Sequence, residues 1–301
     1  MRIGISVTSS YPDIEPRIGA RWMVERACAA RQADLDSLFV GDHHVTPTAY
    51  YQNSAILGRM LAEWGDKPAG ALYLLPLWNP VLLAEQVATL ACIAHGPFIL
   101  QCGLGGDRRQ SLGMGVDPKL RAGMFETSLA TLRALWRGEE VSLDRYWPIQ
   151  RARIAPLPPE PIEVWVGAQA PAAIHRTARV AEGWLASPSL TPQQAADGLN
   201  RYRQACAEHA RTPSATAIRR DIFIGATSEE ARRVVEPYLT ARYRGFPPEA
   251  IVFGSVAEVA EQFRRLGETG FTDIIVRNLS ARQDECLATI ERLGAVRALL
   301  T

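Results

Sequence analysis

The stretch Leu35-Asp36-Ser37-Leu38-Phe39-Val40-Gly41-Asp42-His43-His44 decides how this chain reads. A short, apolar, β-rich run passes directly into a carboxylate and two imidazoles. The chain has five histidines, and two of them adjoin here. Titratable groups at the end of a buried strand suit the mouth of an α/β barrel; a local Asp–His cap of the turn is the alternative. Side chains alternate along a strand, so Leu38 and Val40 share a face with Asp42 and His44, while Ser37, Phe39 and Gly41 share the other with His43. Outer faces of barrel strands meet helices and favour branched aliphatics. Leu38 and Val40 are therefore expected to face outward, and His43 inward.

The same alternation of short apolar runs with amphipathic stretches continues in both directions. Strands are expected over 3–7, 35–41, 69–75, 98–102, 162–166, 184–186, 218–224 and 273–276. Helices are expected over 21–32, 53–64, 80–94, 118–136, 171–181, 192–210, 228–243, 256–267 and 282–299, several opening on Pro at the first turn. The Pro- and Arg-rich segment 138–161 breaks the rhythm and reads as an excursion over the surface. Eight strands alternating with helices predict a single α/β domain over 1–301, a (β/α)₈ TIM barrel with insertions in the βα loops. A doubly wound sheet would want a glycine fingerprint after the first strand, where Thr8-Ser9-Ser10-Tyr11-Pro12 stands instead.

Bulk composition narrows the function. The 301 residues are 47% hydrophobic and 22% charged with a net charge of +1, which gives no reason to expect nucleic acid or an anionic membrane as partner. Five cysteines without a CxxC pair argue against a disulfide framework or zinc site and fit a reducing cytoplasm. No signal-peptide pattern follows Met1, and no apolar run reaches the roughly 18 residues that span a bilayer. A metal-dependent hydrolase needs ligands from several strand ends. His175 and His209 fall in expected helices, however, and His95 lies at the opposite end of the barrel.

The expected strand ends carry the chemistry. Gly103-Leu104-Gly105-Gly106 leaves little side chain after the fourth strand, and glycines allow backbone to approach a flat ligand. Gly167-Ala168-Gln169-Ala170 leads into a helix opening at Pro171, whose free N–H groups favour phosphate, with Ser187 and Ser189 near enough to add hydroxyls. Arg277 stands at the end of the eighth strand.

Taken together, these ends resemble the bacterial luciferase-like family of flavin-dependent oxidoreductases. The matching stretches are 38–44, then Leu74-Leu75-Pro76-Leu77-Trp78-Asn79-Pro80-Val81-Leu82-Leu83-Ala84-Glu85-Gln86-Val87-Ala88-Thr89-Leu90, Phe98-Ile99-Leu100 with Gly103-Leu104-Gly105, and Trp165-Val166-Gly167 with Ala181-Glu182-Gly183-Trp184. The resemblance implies a barrel that binds FMN, or its deazaflavin analogue coenzyme F-420, at the C-terminal mouth. It implies His43 as the active-site histidine, 167–170 as the phosphate loop, and a non-prolyl cis peptide at Ala71–Leu72 against the flavin ring. Two departures are Ala168 and Gln169, where many relatives carry a second glycine and a small hydroxyl residue.

The expected activity is a two-component monooxygenase using reduced FMN from a separate flavin reductase and dioxygen on a small organic substrate, acting as a homodimer. His43 would serve as acid/base or hydrogen-bond donor, Asp42 as an orienting partner, and Arg277 or Arg108 as a clamp for anionic groups. Ala71, Leu72, Gly103, Gly105, Gly167, Ala168, Gln169, Ala170 and Ser187 would hold the cofactor. An F-420-dependent dehydrogenase or reductase is the alternative; a basic groove beside the phosphate site would favour it, and Arg108, Arg109 and Arg176 are compatible with either reading. A non-catalytic flavin-binding protein is the third reading, and needs His43 turned away from the ligand. The segments 138–161 and 243–254, with the loop after the first strand, are expected to hold the substrate, and Trp78, Tyr146 and Trp147 to line an apolar pocket.

Overall fold

A computed structural model describes residues 1–300. In chain order its elements begin β1 (Arg2–Val7), α1 (Pro16–Gln32), β2 (Ser37–Val40), α2 (Asn53–Trp64), β3 (Ala69–Leu74), α3 (Pro80–Ile93) and β4 (Phe98–Gly103). There follow α4 (Arg108–Gly113), α5 (Arg121–Trp136), β5 (Val141–Leu143), β6 (Ile149–Ala152), β7 (Glu163–Gly167), α6 (Pro171–Val180), β8 (Gly183–Ala186) and α7 (Pro192–Glu208). The chain closes with β9 (Ala215–Ile224), α8 (Ser228–Thr240), β10 (Val252–Gly254), α9 (Val256–Thr269), β11 (Asp273–Asn278) and α10 (Gln283–Ala298).

Eight parallel strands run β9-β11-β1-β2-β3-β4-β7-β8, and β8 pairs back onto β9 through Gly183↔Ala215 to Ala186↔Ile218, closing the barrel. The expected fold class stands. Two layers of core follow from strand parity. Phe39, Ile99, Trp165, Ala215, Ala217 and Ile275 fill the barrel interior. Ile3, Ile5, Val7, Leu38, Val40, Ala71 and Tyr73 face the helices. Leu38 and Val40 are thus outward and Phe39 inward, as their alternation requires.

Local chemistry sets the element ends. Asn79 caps α3 by accepting from the N–H groups of Val81 (2.9 Å) and Leu82 (3.2 Å), with Pro80 at the first position. Reciprocal capping boxes open α7 at Thr191–Gln194 and α9 at Ser255–Glu258. Helix α1 begins earlier than the expected 21, because the Glu15 carboxylate accepts from the Arg17 and Ile18 N–H groups.

Four expectations are corrected. The helix expected over 118–136 opens three residues later, as α5 at Arg121, and the loop before it holds a further short helix, α4, capped by Asp107 through the N–H groups of Arg109 and Gln110. The excursion 138–161 contains an antiparallel hairpin, β5 with β6. The helix expected to reach 243 stops at Thr240, because Arg242 and Arg244 both take left-handed backbone (φ 50° and 52°). The Ala71–Leu72 peptide is trans: among the described residues only Ala155–Pro156 is cis. Strand β3 keeps an unbroken ladder with β4 from Ala69↔Phe98 to Leu74↔Gly103, and the Leu72 carbonyl accepts from Asn53 Nδ2 at 2.7 Å. A ninth strand, β10, lies outside the barrel on the far edge of β9.

Candidate active site at the C-terminal mouth

The loops after β1 and β2 are laced together above the barrel. Ser10 and Tyr50 form an antiparallel bridge, the Tyr51 N–H donates to the Ser9 carbonyl at 2.9 Å, and the Tyr11 N–H to Ala49 at 3.2 Å. This lacing sets Tyr50 beside His43, with ring centroids 5.7 Å apart. A side chain at Gly41 would stand 2.9 Å from the Tyr50 hydroxyl. Burial, the largest influence, pushes the Tyr50 phenol up to about 12, with Asp42 raising it and Arg277 and Arg219 lowering it. Tyr50 is therefore a protonated donor throughout the physiological range.

Asp42 and His44 belong to a different arrangement. Asp42 is 7% exposed, and its Oδ2 accepts from the Leu74 N–H (2.8 Å) and from Trp78 Nε1 (2.9 Å). Its Oδ1 lies 3.1 Å from His44 Nε2, not aligned as a hydrogen bond. The Asp42 carboxylate thus clasps the end of β3 and stands against the His44 ring, not that of His43. The Gln110 side chain accepts the His44 N–H at 2.6 Å, tying in α4. Replacing Asp42 with Ala leaves an N–H and an indole without acceptors, each worth about 1–3 kcal/mol when buried. Loss of about 3 kcal/mol of stability is expected by denaturant unfolding.

The expected cofactor residues divide by what they offer. Leu72 is half-buried and shares the inner face with Gly70, whereas the Ala71 side chain is buried among the helices, leaving only backbone toward the barrel. Gly103 closes β4, and a Cβ there would meet only Leu74 Cδ2 at 3.8 Å; Gly105 holds φ +70°. Gly167 is exposed at the end of β7, and a Cβ there would meet only the Cys102 carbonyl at 3.6 Å. Gln169 and Ala170 are exposed, and no side chain caps the N-terminus of α6. Ala168 turns its methyl into the core while its carbonyl accepts from Trp184 Nε1 at 2.8 Å, anchoring the loop. The Ser187 and Ser189 hydroxyls lie 2.9 Å apart. Buried Gln101 on β4 has its Nε2 without a protein partner, an unused donor beneath this cradle. The residues present therefore suit a flat ring with a phosphate at one end.

The expected clamp and pocket residues also sort out. Arg108 and Arg109 are exposed on α4, whereas Arg176 pairs with Glu126 at 3.8 Å and lies over the Phe125 ring. Trp78, Tyr146 and Trp147 pack with Leu74 against Leu77, Val116 and Met124 as one satellite cluster. Arg277 joins a group that the sequence reading did not find. Asp221 on β9 is fully buried; its Oδ2 accepts from Tyr243 OH (3.0 Å) and Arg244 Nη1 (3.1 Å), and its Oδ1 lies 3.3 Å from Arg219 Nε. The signal was the inward alternation Ala215, Ala217, Arg219, Asp221, masked by the adjacent Arg220. Arg220 faces outward, where its Nη1 donates to the Leu190 carbonyl at 2.9 Å and the Pro188 carbonyl at 3.3 Å, holding the loop after β8.

The chain has clear relatives. A model of the luciferase-like monooxygenases matches residues 1–251. The F420-dependent glucose-6-phosphate dehydrogenase of Beutenbergia cavernae is 33% identical over 166 residues, 52% of this chain and 49% of that protein. A phthiodiolone/phenolphthiodiolone dimycocerosates ketoreductase of Mycobacterium tuberculosis is 31% identical over 181 residues, 57% of this chain and 47% of that protein. The chain spans about half the length of these curated relatives. Among solved structures, the monooxygenase RslO1 from Streptomyces bottropensis superposes with a TM-score of 0.85 at 17% identity, covering 98% of both chains. An F420-dependent secondary alcohol dehydrogenase superposes at 0.82 with 16% identity, covering 100% of this chain and 99% of its own. At such identities these two show a shared fold.

Proposed function

This chain belongs to the luciferase-like monooxygenase family, and we propose that it is a two-component monooxygenase that takes reduced FMN from a separate reductase and acts on a small organic substrate. The observation that carries this reading is the gathering, at one barrel end, of His43 and Tyr50 with the side-chain-free strand ends at Gly41, Gly103 and Gly167. When bound, reduced FMN would supply the two electrons with which one atom of dioxygen goes to the substrate and the other leaves as water, whereas the deazaflavin would supply hydride alone.

The chain's own residues prepare that chemistry. Phe39, Ile99, Trp165 and Ile275 plug the barrel below the mouth and keep water from entering beneath the ring. The main-chain N–H groups of 167–170 and the open N-terminus of α6 take the phosphate, aided by the helix dipole. His43 holds or gives a proton at a ring nitrogen toward the reacting edge, and Tyr50 donates beside it. The same reading expects a homodimer, which sedimentation velocity measures directly.

A second reading has its own support: the curated sequence relatives are named as an F420-dependent dehydrogenase and a ketoreductase. Fluorescence titration with reduced FMN, oxidised FMN and coenzyme F-420 separates the two. Tight binding of reduced FMN with oxygen-dependent product formation is the expected result. Binding of F-420 alone would transfer the protein to hydride chemistry, and binding of none would remove the flavin reading altogether.

A further inference from the structure

The mouth contains more positive charge than its protein partners use. Three guanidiniums, those of Arg219, Arg244 and Arg277, surround the single buried carboxylate of Asp221. Arg277 is in register with Asp221 on the neighbouring strand, and its Nε donates to Thr8 Oγ1 at 3.3 Å; among the described residues it forms no ion pair. The Nε and Nη2 atoms of Arg219 are buried without any hydrogen-bond acceptor, although Asp221 Oδ1 lies only 3.3 Å from Nε. Asp42, the other carboxylate near Tyr50, is already committed to Leu74 and Trp78. Buried guanidinium donors left open are costly unless an anion arrives to accept them.

The electrostatics agree with this count. Burial, foremost, draws the Arg219 guanidinium down to about 10; Asp221 opposes that, while Arg277 and Arg244 add to it. The group still carries its charge at neutral pH. Burial alone would raise the Asp221 carboxyl, but Arg219, Arg277 and Arg244 outweigh it and hold it below its usual value. One negative charge therefore faces three positive ones. The supporting backbone is itself held under strain, since Arg242 and Arg244 both occupy left-handed φ without being glycine.

We propose that Arg219, Arg277 and Arg244, braced by Asp221, form a subsite for a compact anionic group, a carboxylate or phosphate carried by the substrate. Tyr50 relates this subsite to His43: its ring adjoins the His43 imidazole, and the charges of Arg277 and Arg219 lower its phenol pKa. A substrate pinned by its charged end therefore extends its neutral part across Tyr50 toward His43. The assignment to substrate rests on the oxidoreductase reading above, in which the cofactor's own phosphate sits at 167–170.

Calorimetric titration with inorganic phosphate, without and with saturating FMN, tests the proposal. Phosphate should bind in both conditions, and Arg219→Gln and Arg277→Gln should each weaken it about tenfold, the loss expected for one charge-assisted hydrogen bond. FMN affinity should stay within about twofold in both variants. Should Arg219→Gln not fold, Arg277→Gln and the rim substitution Arg244→Gln carry the measurement. Equal phosphate affinity in wild type and the folded variants would overturn the subsite. Exclusion of phosphate by bound FMN, lost together with FMN affinity in Arg277→Gln, would reassign the arginines to the cofactor and overturn the substrate claim. Failure of the wild type to bind FMN is read separately: it removes the flavin reading, while the cofactor-free titration still decides whether the arginines hold an anion.

Discussion

His43→Ala should lower turnover by about 10²- to 10⁴-fold, the range for removing a positioned acid or base, while leaving cofactor affinity within about tenfold. His43 is half-buried, and its ring contact is with Tyr50. Its carbonyl, accepting from Gln52 Nε2 at 3.3 Å, ties the loop through backbone that the substitution leaves in place. The fold therefore has little reason to suffer, and the loss should fall on kcat and kcat/KM together, as for an interaction made in the transition state. Single-turnover kinetics with reduced cofactor measure this directly. Unchanged turnover would remove His43 from the mechanism, and a loss confined to KM would make it a substrate-binding group.

Gly70→Ala should destabilise the barrel by about 3 kcal/mol, a fall in Tm of roughly 5 °C for a chain of this size. A Cβ on Gly70 would stand 1.9 Å from the Ile99 carbonyl oxygen and 3.2 Å from Phe39 Cε1. The first of these is backbone, in register across the β3–β4 ladder at Gly70↔Ile99, so no side-chain rotation relieves it. Either the ladder opens or the interior plug of Phe39 and Ile99 shifts. Gly106→Ala serves as the control, because nothing lies within 4 Å of its Cβ position. Calorimetric unfolding should leave that variant within about 0.5 kcal/mol of wild type. Equal stability of Gly70→Ala would show that β3 and β4 are less tightly held than the ladder implies.

Much of the architecture was legible because burial imposes a period. Leu38, Phe39 and Val40 are all fully buried, yet their alternation still separates helix-facing from interior positions, since aliphatics fill one layer and an aromatic the other. The strand ends were legible for the same reason. Tyr50, by contrast, sits in an irregular loop with no period, and only the lacing to Ser9, Ser10 and Tyr11 brings it to His43. Arg219 and Asp221 were missed because two adjacent arginines look like a solvated face; one faces into the barrel and the other outward. The hairpin of β5 and β6 is a two-stranded sheet separate from the barrel, so its pattern gave no barrel signal. Asp42 was read as an imidazole's partner, and it does stand against one, but that of His44. Its two accepted hydrogen bonds go to the end of β3 and to Trp78, which no local pattern in 35–44 could announce.

Strand β9 is the longest in the barrel and is flanked by β8, β11 and, at its far end, β10. Its inward side chains pass from methyl groups to a guanidinium and then a carboxylate, in steps of roughly 7 Å. The strand therefore works as a graduated rule, on which depth in the lumen is written as chemistry. A single residue inserted between Ala215 and Arg219 would exchange the two faces. Arg219 and Asp221 would turn toward the helices, and Arg220 would enter the lumen and release the turn at Pro188–Leu190. The same insertion after Ile224 would leave every mark on the rule where it stands. Natural variation in length should accordingly be tolerated beyond this strand and purged within it.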